Sequence, residues 1–367
     1  MNKKIRAIGA GLLVGVWLAL TAFAWFGTAQ ERSEAERRKL AQMPDITLDS
    51  VLDKTFMDKF EDYSLDQFPL RDTFRTLKAL FLYEGLQQTD NNGYFVNDGY
   101  IVKQTYPLSQ PSVNHALNCF DQIYNKYLAD SNCDIYLSVI PDKGYFLADA
   151  GYPSMDYENL LSQLKENMSW ATYLDIMDLV TLEDYYRTDT HWMQQNLLPV
   201  AQYLCNALNV QAPEQADFTA ETLDMPFYGV YYGHAAMPLE AERITLLHSA
   251  VLDACTVYDH ETGKTMGIYD LDKMEGADPY EVYLSGTKAL LTIENPNATT
   301  ERELILFRDS FGSSLAPLLA QGYKTITLVD IRYVNLSMLD YFLTFENQDV
   351  MFLYSTLILN ESSTMKQ

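Results

Sequence analysis

The sequence predicts an α/β domain, a mostly parallel sheet flanked by helices, with an inserted β-rich segment and an N-terminal transmembrane helix. Three observations carry that expectation. Short apolar runs alternate with stretches of helical period, the alternation that parallel strands and their crossover helices require. The clearest case is the run 303–307, the pair Asp309-Ser310, the helical stretch 311–321 stopped by Gly322, and the run 325–329, which read as strand, turn, helix and strand. At the other end an uninterrupted apolar stretch covers 8–26.

Lys3, Lys4 and Arg6 precede that stretch, and about 20 apolar residues suffice to cross a bilayer as a helix. By the positive-inside rule the N-terminus faces the cytoplasm and the main domain is periplasmic or extracellular. Ala22-Phe23-Ala24 offers a small-x-small cleavage site, but the apolar run continues through Trp25 and Phe26, which favours an uncleaved signal-anchor over residues 1–29. Either alternative gives the same compartment.

Residues 30–90 read as a charged stalk and helical lead-in. Glu31, Arg32, Glu34, Glu36, Arg37 and Arg38 crowd the first part, as in a solvated stalk or a juxtamembrane helix. Helical spacing then runs from Leu52, Phe56 and Phe60 to Phe74, Leu77 and Leu80, broken into two helices at Phe68-Pro69.

The α/β domain is expected over 91–367. Asn91-Asn92-Gly93 and Asn97-Asp98-Gly99 are turn signals around Tyr94-Phe95-Val96, the pattern of a small β-hairpin. Val113, Ala116, Leu117, Phe120, Ile123, Tyr124 and Tyr127 keep the spacing of an amphipathic helix laid on a sheet. A buried strand at 135–140 ends at Pro141-Asp142-Lys143, and helices at about 157–167 and 192–208 flank a strand near 172–176. From about 210 to 278, turns and short β-like runs read as an inserted antiparallel excursion.

A formal charge of −24 argues against a nucleic-acid partner, which needs a positive footprint. Cys119, Cys133, Cys205 and Cys255 form no C-x-x-C pair, so neither a zinc ribbon nor a redox motif is indicated, and their pairing is left open. Neither a Walker loop nor a strand-linked Gly-rich fingerprint occurs, so no cofactor is expected.

Chemistry points to two segments. Ser310 sits where a strand ends and a helix begins, the position at which open α/β sheets collect reactive groups. A helix N-terminus supplies N–H groups that can stabilise an oxyanion, although Ser310 or Asp309 could equally serve as the helix cap. The second segment is Arg187-Thr188-Asp189-Thr190-His191-Trp192. In an extended segment residues two apart point the same way, roughly 6.6 Å apart at Cα. Asp189 could then orient His191, leaving the other ring nitrogen to take a proton from serine. An Asp-x-His pair near a helix start also serves simply as a capping group.

Taken together the motifs resemble those of the DHHW family, relatives of the alginate O-acetylation proteins among the SGNH-hydrolase-like proteins. The matching segments are Glu36-Arg37-Arg38-Lys39-Leu40 with Pro44, Asp66-Gln67-Phe68-Pro69-Leu70-Arg71-Asp72, Gly93-Tyr94-Phe95 with Asp98-Gly99-Tyr100, Pro141-Asp142-Lys143, Tyr186 to Trp192, and Asp309-Ser310-Phe311. The resemblance implies an SGNH-hydrolase-like fold, with Ser310 as nucleophile, His191 as general base and acid, and Asp189 as its orienting carboxylate. Two departures stand out: Thr190 occupies the place of a second histidine, and Arg308 replaces the glycine of the usual Gly-Asp-Ser block. The candidates for binding the oxyanion or substrate are the Ser310 N–H, Gly286, Thr287, Arg332 and Lys143. Thr287 stands near a point where relatives often carry Asn, Arg332 is equally placed to pair with Asp330, and Lys143 defaults to an exposed lysine.

Three functions follow as expectations. The first is O-acetyl transfer to a cell-surface or secreted polysaccharide through an acetyl-serine, with a multi-spanning membrane O-acyltransferase as the acetyl donor that the resemblance implies. The second is a carbohydrate esterase using the same triad. The third is a catalytically silent, glycan-binding envelope protein.

Overall fold

The computed structural model describes residues 3–33 and 35–366. They form two compact units, one of the described residues up to Asn92 with Tyr232–Leu239, the other of Gly93–Tyr231 with residues 240–366.

In the first unit a 24-residue helix covers Lys3–Phe26. Its Lys4–Trp25 portion, of mean hydropathy 2.1, is long and apolar enough to cross a membrane. The charged stretch that follows is neither a helix nor a solvated stalk. Strands β1 (Arg32–Ser33) and β2 (Arg38–Lys39) pair antiparallel, because the charges between them find partners. Arg38 donates to both Asp66 oxygens at 2.8 and 2.5 Å, and Glu36 pairs with Arg71, with Arg75 at 3.2 Å and with Arg38 at 3.3 Å. Helices Thr55–Asp66 and Arg71–Leu80 lie either side of the expected break at Phe68-Pro69, after a short helix at Leu48–Leu52.

The second unit begins with the expected hairpin, β3 (Tyr94–Asn97) and β4 (Tyr100–Lys103). Its main sheet takes β5 (Asp134–Ile140) and β6 (Thr172–Tyr173) from the first half of the unit. β7 (Thr219–Thr222) and β8 (Thr245–His248) pair separately. β9 (Thr256–Asp259), β10 (Lys264–Met266), β11 (Leu290–Glu294), β12 (Glu303–Arg308), β13 (Thr325–Val329) and β14 (Asp349–Ser355) complete the sheet in the order β10-β9-β11-β13-β12-β14-β5-β6. The five strands from β13 to β6 are parallel, and β10, β9 and β11 add an antiparallel edge. The expected excursion is therefore only partly separate, since β9 and β10 extend the main sheet.

Alternation along the central strands divides the core. Leu304 and Leu306 face a cluster that includes Leu204, Leu315 and Leu319, while Ile305 and Phe307 face one that includes Phe120, Leu160 and Leu339. Helices Gln110–Ile123 and Tyr157–Asn167 lie where the spacing predicts. Two helices are shorter than expected. The one anticipated from 192 begins at Leu198, after a 3-10 turn at Gln194–Asn196. The one anticipated over 311–321 is α-helical only at Gly312–Leu315 and tightens to 3-10 over Ala316–Gly322, where Pro317 lacks an N–H to continue the ladder.

Candidate active site

The turn that carries Ser310 is built by Asp309. One of its carboxylate oxygens accepts the Phe311 N–H at 3.0 Å, and the other accepts the Ser355 N–H at 2.8 Å from the end of β14. The Asp-Ser pair thus ties the tip of β12 to its neighbouring strand and leaves Ser310 half-buried at the carboxyl end of the sheet. The turn is tight enough that a β-carbon at Gly312 meets Arg308 Cβ at 2.9 Å.

The histidine comes from a closed loop rather than an extended segment. Tyr185 and Trp192 form an isolated antiparallel bridge, and the Tyr186 N–H donates to the His191 carbonyl at 3.1 Å. Between them, Asp189 Oδ1 accepts both the His191 backbone N–H at 3.0 Å and the imidazole Nδ1–H at 2.6 Å. With Nδ1 donating, Nε2 carries a lone pair, and it lies 2.8 Å from Ser310 Oγ, whose O–H donates to it. Asp189, His191 and Ser310, separated by up to 121 positions in the chain, make one continuous relay.

Asp189 is 1% exposed. Burial alone pushes its carboxyl up, but the His191 imidazole and the N–H groups of Val230 and His191 outweigh burial and hold it well below the usual carboxylate range. The Val230 N–H donates to Asp189 Oδ2 at 2.7 Å.

Lys143 and Glu242 fix the loop from both sides. Lys143 Nζ donates to the Tyr186 and Arg187 carbonyls at 3.0 and 3.2 Å. The Glu242 carboxylate accepts the N–H groups of Arg187 and Thr188 at 2.7 and 2.8 Å and the Thr188 hydroxyl at 2.7 Å. Lys143 is 2% exposed, not the solvated lysine its residue type suggests. Burial pulls its ammonium down to about 7, against the pull of Asp189, Glu242 and Asp142.

The remaining candidates fall elsewhere. The Gly286 N–H is spent on the Tyr283 carbonyl at 3.1 Å in a turn where φ is +87°, so it is corrected from an oxyanion donor to a turn residue. Thr287 is exposed. Arg332 donates through Nε and Nη2 to Asp330 at 2.9 and 2.6 Å, the ion pair that was its alternative reading. Gly229, Val230, Glu242 and Tyr280 frame this loop and ring without any mark in the sequence. They lie in turn-rich sequence without periodicity or motif spacing, and no local signal marks them.

Comparison with solved structures finds the same architecture. A DHHW family protein from Eubacterium siraeum superposes with a TM-score of 0.59 at 21% identity, over 74% of this chain and 93% of its own. Bacillus cereus PatB1 with a sulfonyl adduct gives 0.58 at 19% identity, over 72% and 97%. This chain shares their fold. It is a mostly parallel sheet flanked by helices, as the alternation of the sequence predicts. No family model and no curated protein sequence matches.

Proposed function

We propose that this chain is a membrane-anchored, extracytoplasmic O-acetyltransferase acting on a cell-surface or secreted polysaccharide. The observation that carries the reading is the relay from Asp189 through His191 to Ser310, with contacts of 2.6 and 2.8 Å. Ser310 Oγ attacks the acetyl carbonyl as its proton passes to His191 Nε2. The tetrahedral oxyanion is met by the Ser310 N–H at the head of the turn. Collapse breaks the bond to the donor's leaving group, which takes the proton from Nε2 and leaves acetyl-Ser310. A sugar hydroxyl then gives its proton to Nε2, attacks the acetyl carbon and releases Ser310 as the free alcohol.

The N-terminal helix, with its basic residues on the cytoplasmic side, supports a catalytic domain outside the cytoplasm. Acetyl groups reach it there from a multi-spanning membrane O-acyltransferase. PatB1 carries a sulfonyl adduct, and the same class of reagent is a second probe of Ser310 here.

The test uses the full-length chain in detergent with nitrophenyl acetate. One acetyl group on Ser310, absent in Ser310→Ala and discharged faster by added polysaccharide, supports transfer. Discharge by water at the same rate with or without glycan makes the chain an esterase. A native protein that never labels is a silent binding module, and the proposal fails.

A further inference from the structure

His191 has both ring nitrogens engaged, but its faces also have neighbours. One face lies flat on the ring of Tyr280, with centroids 3.8 Å apart and planes 4° from parallel. Phe311 approaches more obliquely, at 4.9 Å and 56°. Tyr280 is 4% exposed and fixed at both ends. Its backbone N–H donates to Asp278 Oδ1 at 3.1 Å in the turn Pro279–Val282, and its phenol donates to Ser314 Oγ at 2.8 Å.

Ser314 belongs to the helix Gly312–Leu315 directly after the nucleophile turn. Its Oγ also accepts the Trp192 indole N–H at 3.0 Å and donates to the Phe311 carbonyl at 3.4 Å. Tyr280 is therefore tied to the Ser310 turn and, through Trp192, to the His191 loop. Burial pushes its hydroxyl well above the ordinary tyrosine range, so it is a neutral phenol that donates.

We propose that Tyr280 is a positioning residue of the acyl-transfer site: its ring keeps the His191 imidazole in line with Asp189 and Ser310, and its π face stabilises the positive charge the imidazole acquires as Ser310 attacks. The proposal rests on the reading of the triad given above. An imidazole held only at its two nitrogens still rocks about the line joining them, and a flat neighbour at van der Waals distance removes that motion. The face of an aromatic ring attracts a cation. The imidazolium exists only from the transition state onward, so this attraction lowers the barrier without tightening ground-state binding. Its loss falls on kcat and leaves KM unchanged.

An aliphatic side chain at 280 risks misfolding, because the ring also packs on Tyr283 at 5.0 Å. The decisive pair is Tyr280→Phe and the same position carrying pentafluorophenylalanine, nearly equal in shape but with the ring quadrupole reversed. Acetylation of Ser310 in the full-length chain is followed across ester concentrations. The phenylalanine variant is expected within about threefold of the native rate, and the fluorinated one roughly five- to tenfold below it in kcat at unchanged KM. Equal kcat for the two variants overturns the electrostatic part. Tyr280→Leu that keeps the native thermal transition and labels at the native rate overturns positioning as well. A native protein that does not label at all fails at the triad itself and takes this proposal with it, a result distinct from either.

Discussion

Gly229 lies against Asp189 so closely that a β-carbon at 229 meets Asp189 Cβ at 2.2 Å and its Cα at 2.3 Å. That approach lets the Gly229 N–H donate to Thr188 Oγ1 at 2.9 Å and the Val230 N–H to Asp189 Oδ2 at 2.7 Å. The obstacle is backbone and Cβ, with no flexible tip to swing aside, so alanine forces the two segments apart. Gly229→Ala is expected to lose about 1–3 kcal/mol of stability and roughly 100-fold in Ser310 acetylation, because a small displacement of Asp189 misaligns the whole relay. Urea unfolding and ester labelling measure the two, and native labelling rules out a role for this close approach.

Asp189→Asn separates charge from shape. The amide fills the same space, but it removes the negative charge and lets the imidazole adopt the tautomer that turns an N–H toward Ser310. Acetylation is expected to fall roughly 1,000- to 10,000-fold with the circular dichroism unchanged. A loss under tenfold would falsify the assignment of Asp189 as the orienting carboxylate.

Asp189, His191 and Ser310 were legible in the sequence because each carries a short-range mark, an acid two positions before a histidine and a serine at a strand tip. The framework around them was not. Glu242, Gly229 and Tyr280 act through contacts 41 to 89 positions away along the chain, and their surroundings have neither helical nor strand period. Two strands escaped for another reason. β14 is buried along its whole length, so its apolar residues do not alternate and its period is silent, and β11 is nearly so. The charged stretch after the N-terminal apolar helix misled because charge density says nothing of whether partners exist. Asp66, Arg71 and Arg75 supply them.

Lys143 gives a pH signature. Its ammonium is held to about 7 in the folded chain against 10.5 when free. Between those values the unfolded chain binds the extra proton, so stability rises as pH climbs from about 7 toward about 10, and below 7 the penalty of burying the charge stands in full. Methionine at 143 does not titrate, so the native protein should gain on Lys143→Met as pH rises through that window. The variant also strips a donor from the buried Tyr186 carbonyl, about 1–3 kcal/mol, while the Arg187 carbonyl keeps the Ile101 N–H at 2.8 Å. Urea midpoints near neutral and near pH 10 give the comparison, and a difference that ignores pH refutes the buried, downshifted amine.

Glu242 tests whether the loop framework matters separately from the triad. Its carboxylate takes three hydrogen bonds from Arg187 and Thr188, while its own backbone pairs with Phe227 in both directions at 2.8 and 2.9 Å. Glutamine keeps the length but replaces one acceptor oxygen with an NH2 that faces donors, so at least one loop N–H loses its partner. Glu242→Gln is expected to cost about 1–3 kcal/mol and to slow acetylation roughly tenfold by loosening Asp189. Thr188→Val removes only the hydroxyl contacts and should fall between the native protein and Glu242→Gln in both measurements. If the two variants lose stability but acetylate at the native rate, the loop is held in place by other means, and Glu242 supports the fold without serving the site.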